Sequence, residues 1–231
     1  MKYWMKMTVL AVVPMLFLAS CDDDDDDVVL EVDNAEVMVV HASPDAPGVD
    51  LLINDVKVNS SALTYPNNTG YLEVPAGMQN VKVNAAGTAT TVIEADLDLE
   101  QDKDYTVFAI NTLDNIEPLV LEDDLTDPAA GMAHVRFVHL SPDAPAVDIA
   151  VAGGPVLFSN RAFKSATDFT PVAAGTYTLE VRPAGTMTVA LTIPDVELRD
   201  GFIYTVFAKG FLQAPEGNNN TLGAEIIVNE E

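Results

Sequence analysis

From residue 34 onward the chain reads as short apolar runs cut by turn residues. AEVMVVHAS and MAHVRFVHLS are dense in β-branched residues, and VDLLIN and VDIAVA each follow a proline-rich turn. TYTLEV alternates apolar with polar, and YTVFA is continuously apolar with aromatics. Period-two alternation and β-branched runs predict strands. Turn residues recur about every ten positions, at SPDAP, YPNNTG, PAG, AAGT and RDG. No stretch beyond the first 33 residues sustains a helical period, so the expected fold class is all-β.

The pattern occurs twice. HASPDAPGVD at 41–50 returns as HLSPDAPAVD at 139–148, an offset of 98 (139 − 41). VPAGMQNVKVNAAGT at 74–88 returns as VAAGTYTLEVRPAGT at 172–186 with the same offset, and YTVFA at 105–109 returns at 204–208 with an offset of 99. Tyr65 and Tyr71 align with Phe163 and Phe169, and the endings EPLVLEDD (117–124) and AEIIVNEE (224–231) align at an offset of 107. An internal repeat of this length means two similar folding units. The expected organisation is a signal peptide at 1–20, a lipidated cysteine and acidic tether at 21–33, domains at 34–124 and 132–231, and a linker at 125–131. Short strands at this spacing in a unit of about 100 residues predict two tandem immunoglobulin-like β-sandwiches. EQDKDY and LRDGFIY place a turn just before Tyr105 and Tyr204, as in the tyrosine corner of such sandwiches.

The start of the chain has a different character. Lys2 and Lys6 precede an apolar run and then small residues before Cys21, the layout of a secretory signal peptide. The run is too short to span a bilayer, which needs about 20 apolar residues. The ending L-A-S-C resembles a bacterial lipobox, which implies cleavage before Cys21 and acylation of its sulfur. Acyl chains contribute about 0.8 kcal/mol per buried methylene, and several together anchor stably. Asp22 to Asp27 repel one another and bury nothing, so they read as a disordered, extended tether.

Loss of the leader removes two lysines, leaving 9 basic against 36 acidic residues and taking the formal net charge from −25 to −27. Such a charge repels nucleic acid, which excludes that class of partner. The only cysteine of the chain is the lipidation candidate, so no disulfide is available and stability must come from packing.

The strongest chemical candidate is the repeated H-x-S-P-D-A-P-x-V-D. It supplies His41, Ser43, Asp45 and Asp50, and again His139, Ser141, Asp143 and Asp148. Serine, histidine and carboxylate together suggest a hydrolase. Against this, Ser and Asp flanking proline are turn formers that bond nearby amides, and no G-x-S-x-G elbow is present. The motif therefore reads as a structural turn, with a ligand contact as the alternative and no catalytic residue assigned. In EADLDLEQDKD, acids alternate through Asp96, Asp98, Glu100 and Asp102, a candidate calcium surface because calcium takes six to eight oxygens. The stretch lacks the glycine and spacing of an EF-hand. No other cofactor is indicated. Glycan recognition is weakened because the only tryptophan, Trp4, lies in the leader.

The first motif, the P-A-G or A-A-G hairpin and the Y-T-V-F-A strand together resemble a bacterial envelope family known as domain of unknown function 4397. The resemblance implies an exported or lipid-anchored protein with tandem copies and β-sandwich character, and it carries no activity. The expected function is a non-enzymatic, lipid-anchored envelope protein that binds or scaffolds, with an envelope protein or polysaccharide as partner. Its body would face the periplasm or the exterior. The alternatives are a calcium-dependent adhesion or glycan-binding module, and a hydrolase using the His/Ser/Asp motifs.

Overall fold

A computed structural model describes residues 33–231. The expected signal peptide, the lipidation at Cys21 and all but the last residue of the acidic tether lie outside the described residues. Among the described residues no helix is long and apolar enough to cross a membrane.

Eight strands form the first half: β1 (Asn34–His41), β2 (Val49–Ile53), β3 (Val56–Lys57), β4 (Asn68–Pro75), β5 (Gly77–Ala85), β6 (Thr91–Leu99), β7 (Asp104–Ile110) and β8 (Glu117–Asp123). Eight more form the second: β9 (Met132–His139), β10 (Val147–Val151), β11 (Val156–Arg161), β12 (Thr170–Ala173), β13 (Gly175–Pro183), β14 (Leu191–Leu198), β15 (Ile203–Lys209) and β16 (Gly223–Glu230). The sheets have the orders β4-β1-β7-β8 and β3-β2-β5-β6, then β12-β9-β15-β16 and β11-β10-β13-β14. The all-β expectation thus holds, as two β-sandwich-like halves with the same strand order.

That order departs from the immunoglobulin arrangement. In a constant-type domain the first strand pairs with the second, and the sheets hold four and three strands. Here β1 lies between β4 and β7, parallel to β7, and β9 is likewise parallel to β15. The cause is the SPDAP corner, which carries the chain from one sheet to the other straight after β1, so β1 and β2 cannot pair. The tyrosine corner is present nonetheless. The Tyr105 hydroxyl accepts from the Glu100 amide and that of Tyr204 from the Arg199 amide, each at 3.1 Å. The two endings also align differently. Thr106 pairs with Leu121 and Thr205 with Ile227, so the last strands correspond at an offset of 106 rather than 107. A one-residue slip would turn every side chain to the wrong face.

Each half has its own core. Val37, Val39, Leu51, Val83, Ile93 and Val107 fill the first, and Val135, Phe137, Ile149, Val181, Val196 and Val206 the second. A third apolar cluster joins the halves: Met38, Val40, Phe108 and Ile110 pack with Val138, Leu140, Phe207 and Ile227. Phe108 and Phe207 meet edge to face at 5.9 Å between ring centroids. The sheets containing β1 and β9 are therefore buried on both faces. Continuous apolar runs such as VMVV and TVFA, rather than strict alternation, follow from that double burial.

Polar groups cross the same interface. Arg136 of β9 donates to Asp123 of β8 at 2.6 Å, with side-chain exposures of 3% and 0%. The Arg136 guanidinium also donates to Thr205 at 3.1 Å and to Thr106 at 3.3 Å. Thr106 and Tyr71 each donate to Asp123 at 2.5 Å, Thr205 donates to Asn229 at 2.7 Å, and Asn229 donates to Tyr71 at 3.0 Å. The Phe169 ring lies 4.4 Å from the guanidinium carbon. At the rim, Asn218 and Asn220 donate to the Pro44 carbonyl at 3.0 and 2.6 Å, and Lys164 pairs with Glu117 at 2.6 Å.

Removing one partner of a buried pair leaves an uncompensated charge. Arg136→Met is expected to cost about 3–5 kcal/mol. Adding Asp123→Asn should return part of that loss, because the stranded carboxylate is gone. Urea unfolding of the single and double variants checks both; equal stability of the two variants would contradict the pairing.

Candidate functional site

The repeated motif sits where the chain crosses between sheets. A crossover leaves main-chain groups buried beyond any strand ladder, and each needs a partner. The motif's side chains supply them. His41 is fully buried, and its Nε2 lies 2.9 Å from the Pro47 carbonyl; in the second half His139 does the same with Pro145 at 3.1 Å. A carbonyl only accepts, so Nε2 carries the proton in both rings. Each Nδ1 is buried without a hydrogen-bond partner. Burial holds both imidazoles below the usual histidine pKa of 6.5.

The carboxylates cap loops. Asp45 accepts from the Leu113 amide at 2.8 Å, tying the crossover to the connection after β7. Asp143 accepts from Leu212 and Gln213 at 2.7 and 2.8 Å in the equivalent place. Asp50 accepts from the Gly87 amide at 2.9 Å and pairs with Lys57 at 2.7 Å. Asp148 accepts from Gly185 at 2.8 Å and from Asn160 at 2.7 Å. Gly87 and Gly185 have φ of +71° and +73°, the left-handed conformation that lets each hairpin turn its amide toward the aspartate. Both carboxylates are held below their usual pKa, Asp50 by Lys57 first and then the Gly87 amide, Asp148 by the Asn160 and Gly185 amides.

The serines do not join the histidines. Ser141 is buried and donates to the Gly210 carbonyl at 2.6 Å, which commits its proton to the main chain. Ser43 is buried, and its hydroxyl has no hydrogen-bond partner. A nucleophile needs an oriented base, and among the described residues no histidine nitrogen bonds a serine hydroxyl. His41, Asp45 and Asp50 thus share one connection while each faces a different main-chain group, and the Ser43 hydroxyl beside them bonds none.

The acidic stripe is dispersed. Asp96 and Asp98 point to solvent from β6, an edge strand, where alternate residues stand about 6.6 Å apart. Asn80 donates to Asp96 at 2.8 Å, and Lys82 pairs with Glu94 at 3.4 Å and with Asp55 at 2.7 Å. Glu100 and Asp102 lie beyond the strand, Asp102 at a φ of +58°. Among the described residues no three His, Cys, Asp or Glu side chains come together as metal ligands. The expected calcium surface is therefore a row of carboxylates without a point of convergence.

Comparison with known proteins places this architecture. Residues 35–150, half of the chain, match the family described as Domain of unknown function (DUF4397). This chain belongs to the DUF4397 family. The match runs from β1 to Ala150 in β10, through the first half and into the second motif. No curated protein matches the chain. Among solved structures, a protein of Parabacteroides distasonis with a proposed role in cell adhesion is 10% identical over 85% of this chain and 98% of its own, with a TM-score of 0.25. The Bacillus anthracis TIE protein is 11% identical over 85% of this chain and 43% of its own, with a TM-score of 0.23. Scores this low carry no statement about fold or role.

In this DUF4397 protein the sequence reading passed over Arg136, Asp123, Tyr71 and Asn229, the polar groups between the halves. One signal was available: a lone arginine inside the apolar run VRFVHL. A charge there requires a buried partner.

The two histidines set a pH dependence. Folding keeps them neutral, whereas the unfolded chain protonates them below pH 6.5, so the unfolded state binds more protons and stability drops as the pH is lowered there. The wild type should melt lower at about pH 5 than at about pH 7.5. The His41→Gln/His139→Gln variant should lose much of that difference; an unchanged difference would show that other groups cause it.

Proposed function

We propose that this DUF4397 protein is a lipid-anchored, non-enzymatic protein of the bacterial cell envelope, whose double sandwich binds or scaffolds another envelope component. The observation that carries the non-enzymatic part is the use of the motif. In both copies the histidine and both aspartates face main-chain groups, and no histidine nitrogen bonds a serine hydroxyl among the described residues. The envelope part rests on the leader, the lipobox-like L-A-S-C at Cys21 and the aspartate tether. Extended at up to about 3.6 Å per residue, six aspartates span about 20 Å, beyond the roughly 8 Å screening length at physiological salt. The folded part would stand clear of the membrane, facing the periplasm or the exterior. The carboxylate count favours the first half as the surface that meets a basic partner: residues 28–126 carry 18 acids against 3 lysines, and residues 127–231 carry 12 against 6 basic residues.

Cys21→Ser should move the protein from the membrane fraction to the soluble fraction. Cross-linked capture from envelope extract with the wild type should enrich a defined partner. Turnover of an ester or glycan panel that disappears in Ser43→Ala/Ser141→Ala, with unchanged melting, would overturn the non-enzymatic reading. Calcium against chelator should leave the melting temperature unchanged; a clear rise with calcium would revive the adhesion alternative that depends on it.

A further inference from the structure

The two halves differ at one edge, and the difference is built. In the second half, β11 pairs with β10 through Phe158 opposite Ile149 and Arg161 opposite Val147, with only Ser159 and Asn160 between. Phe158 is buried and stacks on Phe137 with ring centroids 6.2 Å apart. In the first half the equivalent contacts are the Val58 amide to the Leu51 carbonyl at 2.9 Å, and Leu63 paired with Val49. Four residues, 59–62, lie between them and bulge from the sheet.

The Asn59 side chain takes the place of the missing strand. Its oxygen accepts from the Leu51 amide at 2.8 Å, and its nitrogen donates to the Val49 carbonyl at 3.1 Å and to the Ser61 carbonyl at 2.8 Å. The variable position of the motif is matched to the bulge. Gly48 stands where the second half has Ala146, and a Cβ at Gly48 would meet Thr64 Cγ2 at 3.2 Å and Ala62 Cβ at 3.4 Å. The two segments are equally long, but the second half spends its residues on a longer β10–β11 turn and a continuous β11, whereas the first leaves residues 59–62 outside the ladder.

What they form is a cleft of about 410 Å³ between the bulge and the start of β4. That volume lies within the usual range of small-molecule sites. No charged residue lines it, although the surrounding half is strongly acidic. The hydroxyls of Ser60 and Ser61 and the Asn68 amide nitrogen make no hydrogen bond among the described residues. Leu63 and Leu72 provide apolar ground beside them. Uncharged donors and acceptors next to apolar carbon suit the hydroxyl edge and C–H face of a sugar. They bring no formal charge to neutralise an ion of either sign.

We propose that this cleft binds a neutral saccharide unit, at a place where the second half instead continues β11 along β10 through Ser159 and Asn160. The inference rests on the binding reading above and names its ligand class. With no tryptophan available to stack, affinity is weak and comes from avidity on a polymer.

Saturation-transfer NMR of the full-length chain in detergent micelles tests this. The probes are maltoheptaose, cellohexaose, chitohexaose and mannohexaose, with oligogalacturonate as the anionic control. At least one neutral probe should bind and the anionic control should not. Ser61→Trp, at an exposed position, should fill the cleft and weaken binding at least about tenfold with melting unchanged, while Ser159→Trp on β11 should leave binding intact. Binding by no neutral probe, equal binding by Ser61→Trp, or preference for oligogalacturonate would each overturn the proposal. Capture of an envelope partner by the wild type, beside its saccharide binding, separates the two readings. If the wild type captures a partner while binding no neutral saccharide, the cleft proposal fails and the binding role stands; if the wild type does neither, both fail.

Discussion

The fold depends on one desolvated face, where the sheet containing β1 meets the sheet containing β9. Phe108 and Phe207 occupy its apolar part, and the Arg136–Asp123 pair crosses it with almost no solvent contact. An ion pair so placed needs every remaining donor and acceptor satisfied to offset its desolvation. Thr106, Thr205, Tyr71 and Asn229 complete it. The consequence is directional. Met38 stands where the other half has Arg136, Tyr71 where it has Phe169, and Asp123 where it has Asn229. Two copies of the first face would bury two carboxylates with no guanidinium, and two copies of the second would bury two guanidinium groups with no carboxylate. Complementarity of this kind selects the unlike pairing and disfavours the like ones.

Double burial of the central sheets also explains the motif at their ends. A strand covered on both faces leaves its sheet through a corner whose start, His41 to Ser43, is buried. His41, Asp45 and Asp50 make good the hydrogen bonds that the corner would otherwise lose, and the second copy repeats the solution with Pro145, Leu212 and Gly185 as partners. Three of the residues that look like the parts of a hydrolase are therefore held by geometry to three different tasks. Departures from the repeat are more informative about role than the repeat itself. The bulge at residues 59–62, with Gly48 behind it and Asn59 in place of a strand, is one such departure.

Much of this was legible in the chain. Period-two runs, regular turns and the duplicated blocks were enough for two all-β units, and Tyr105 and Tyr204 announced their corner because its hydrogen bond spans only five residues. Strand order was not legible. The immunoglobulin expectation failed at β1, since local pattern says that a segment is a strand and nothing about which neighbour it takes. The acidic alternation at Asp96 and Asp98 was read correctly as a shared strand face, but sharing a face does not bring carboxylates to one point.

By itself the sequence determined the fold class, the duplication and the polar identity of the corners, because each is a local consequence of residue type and spacing. Only the tertiary structure decided that β1 runs beside β7, that Arg136 meets Asp123 rather than water, and that four residues of one half stand away from its sheet. Those outcomes join positions far apart in the chain, and their energies come from desolvation and packing that no single segment carries alone.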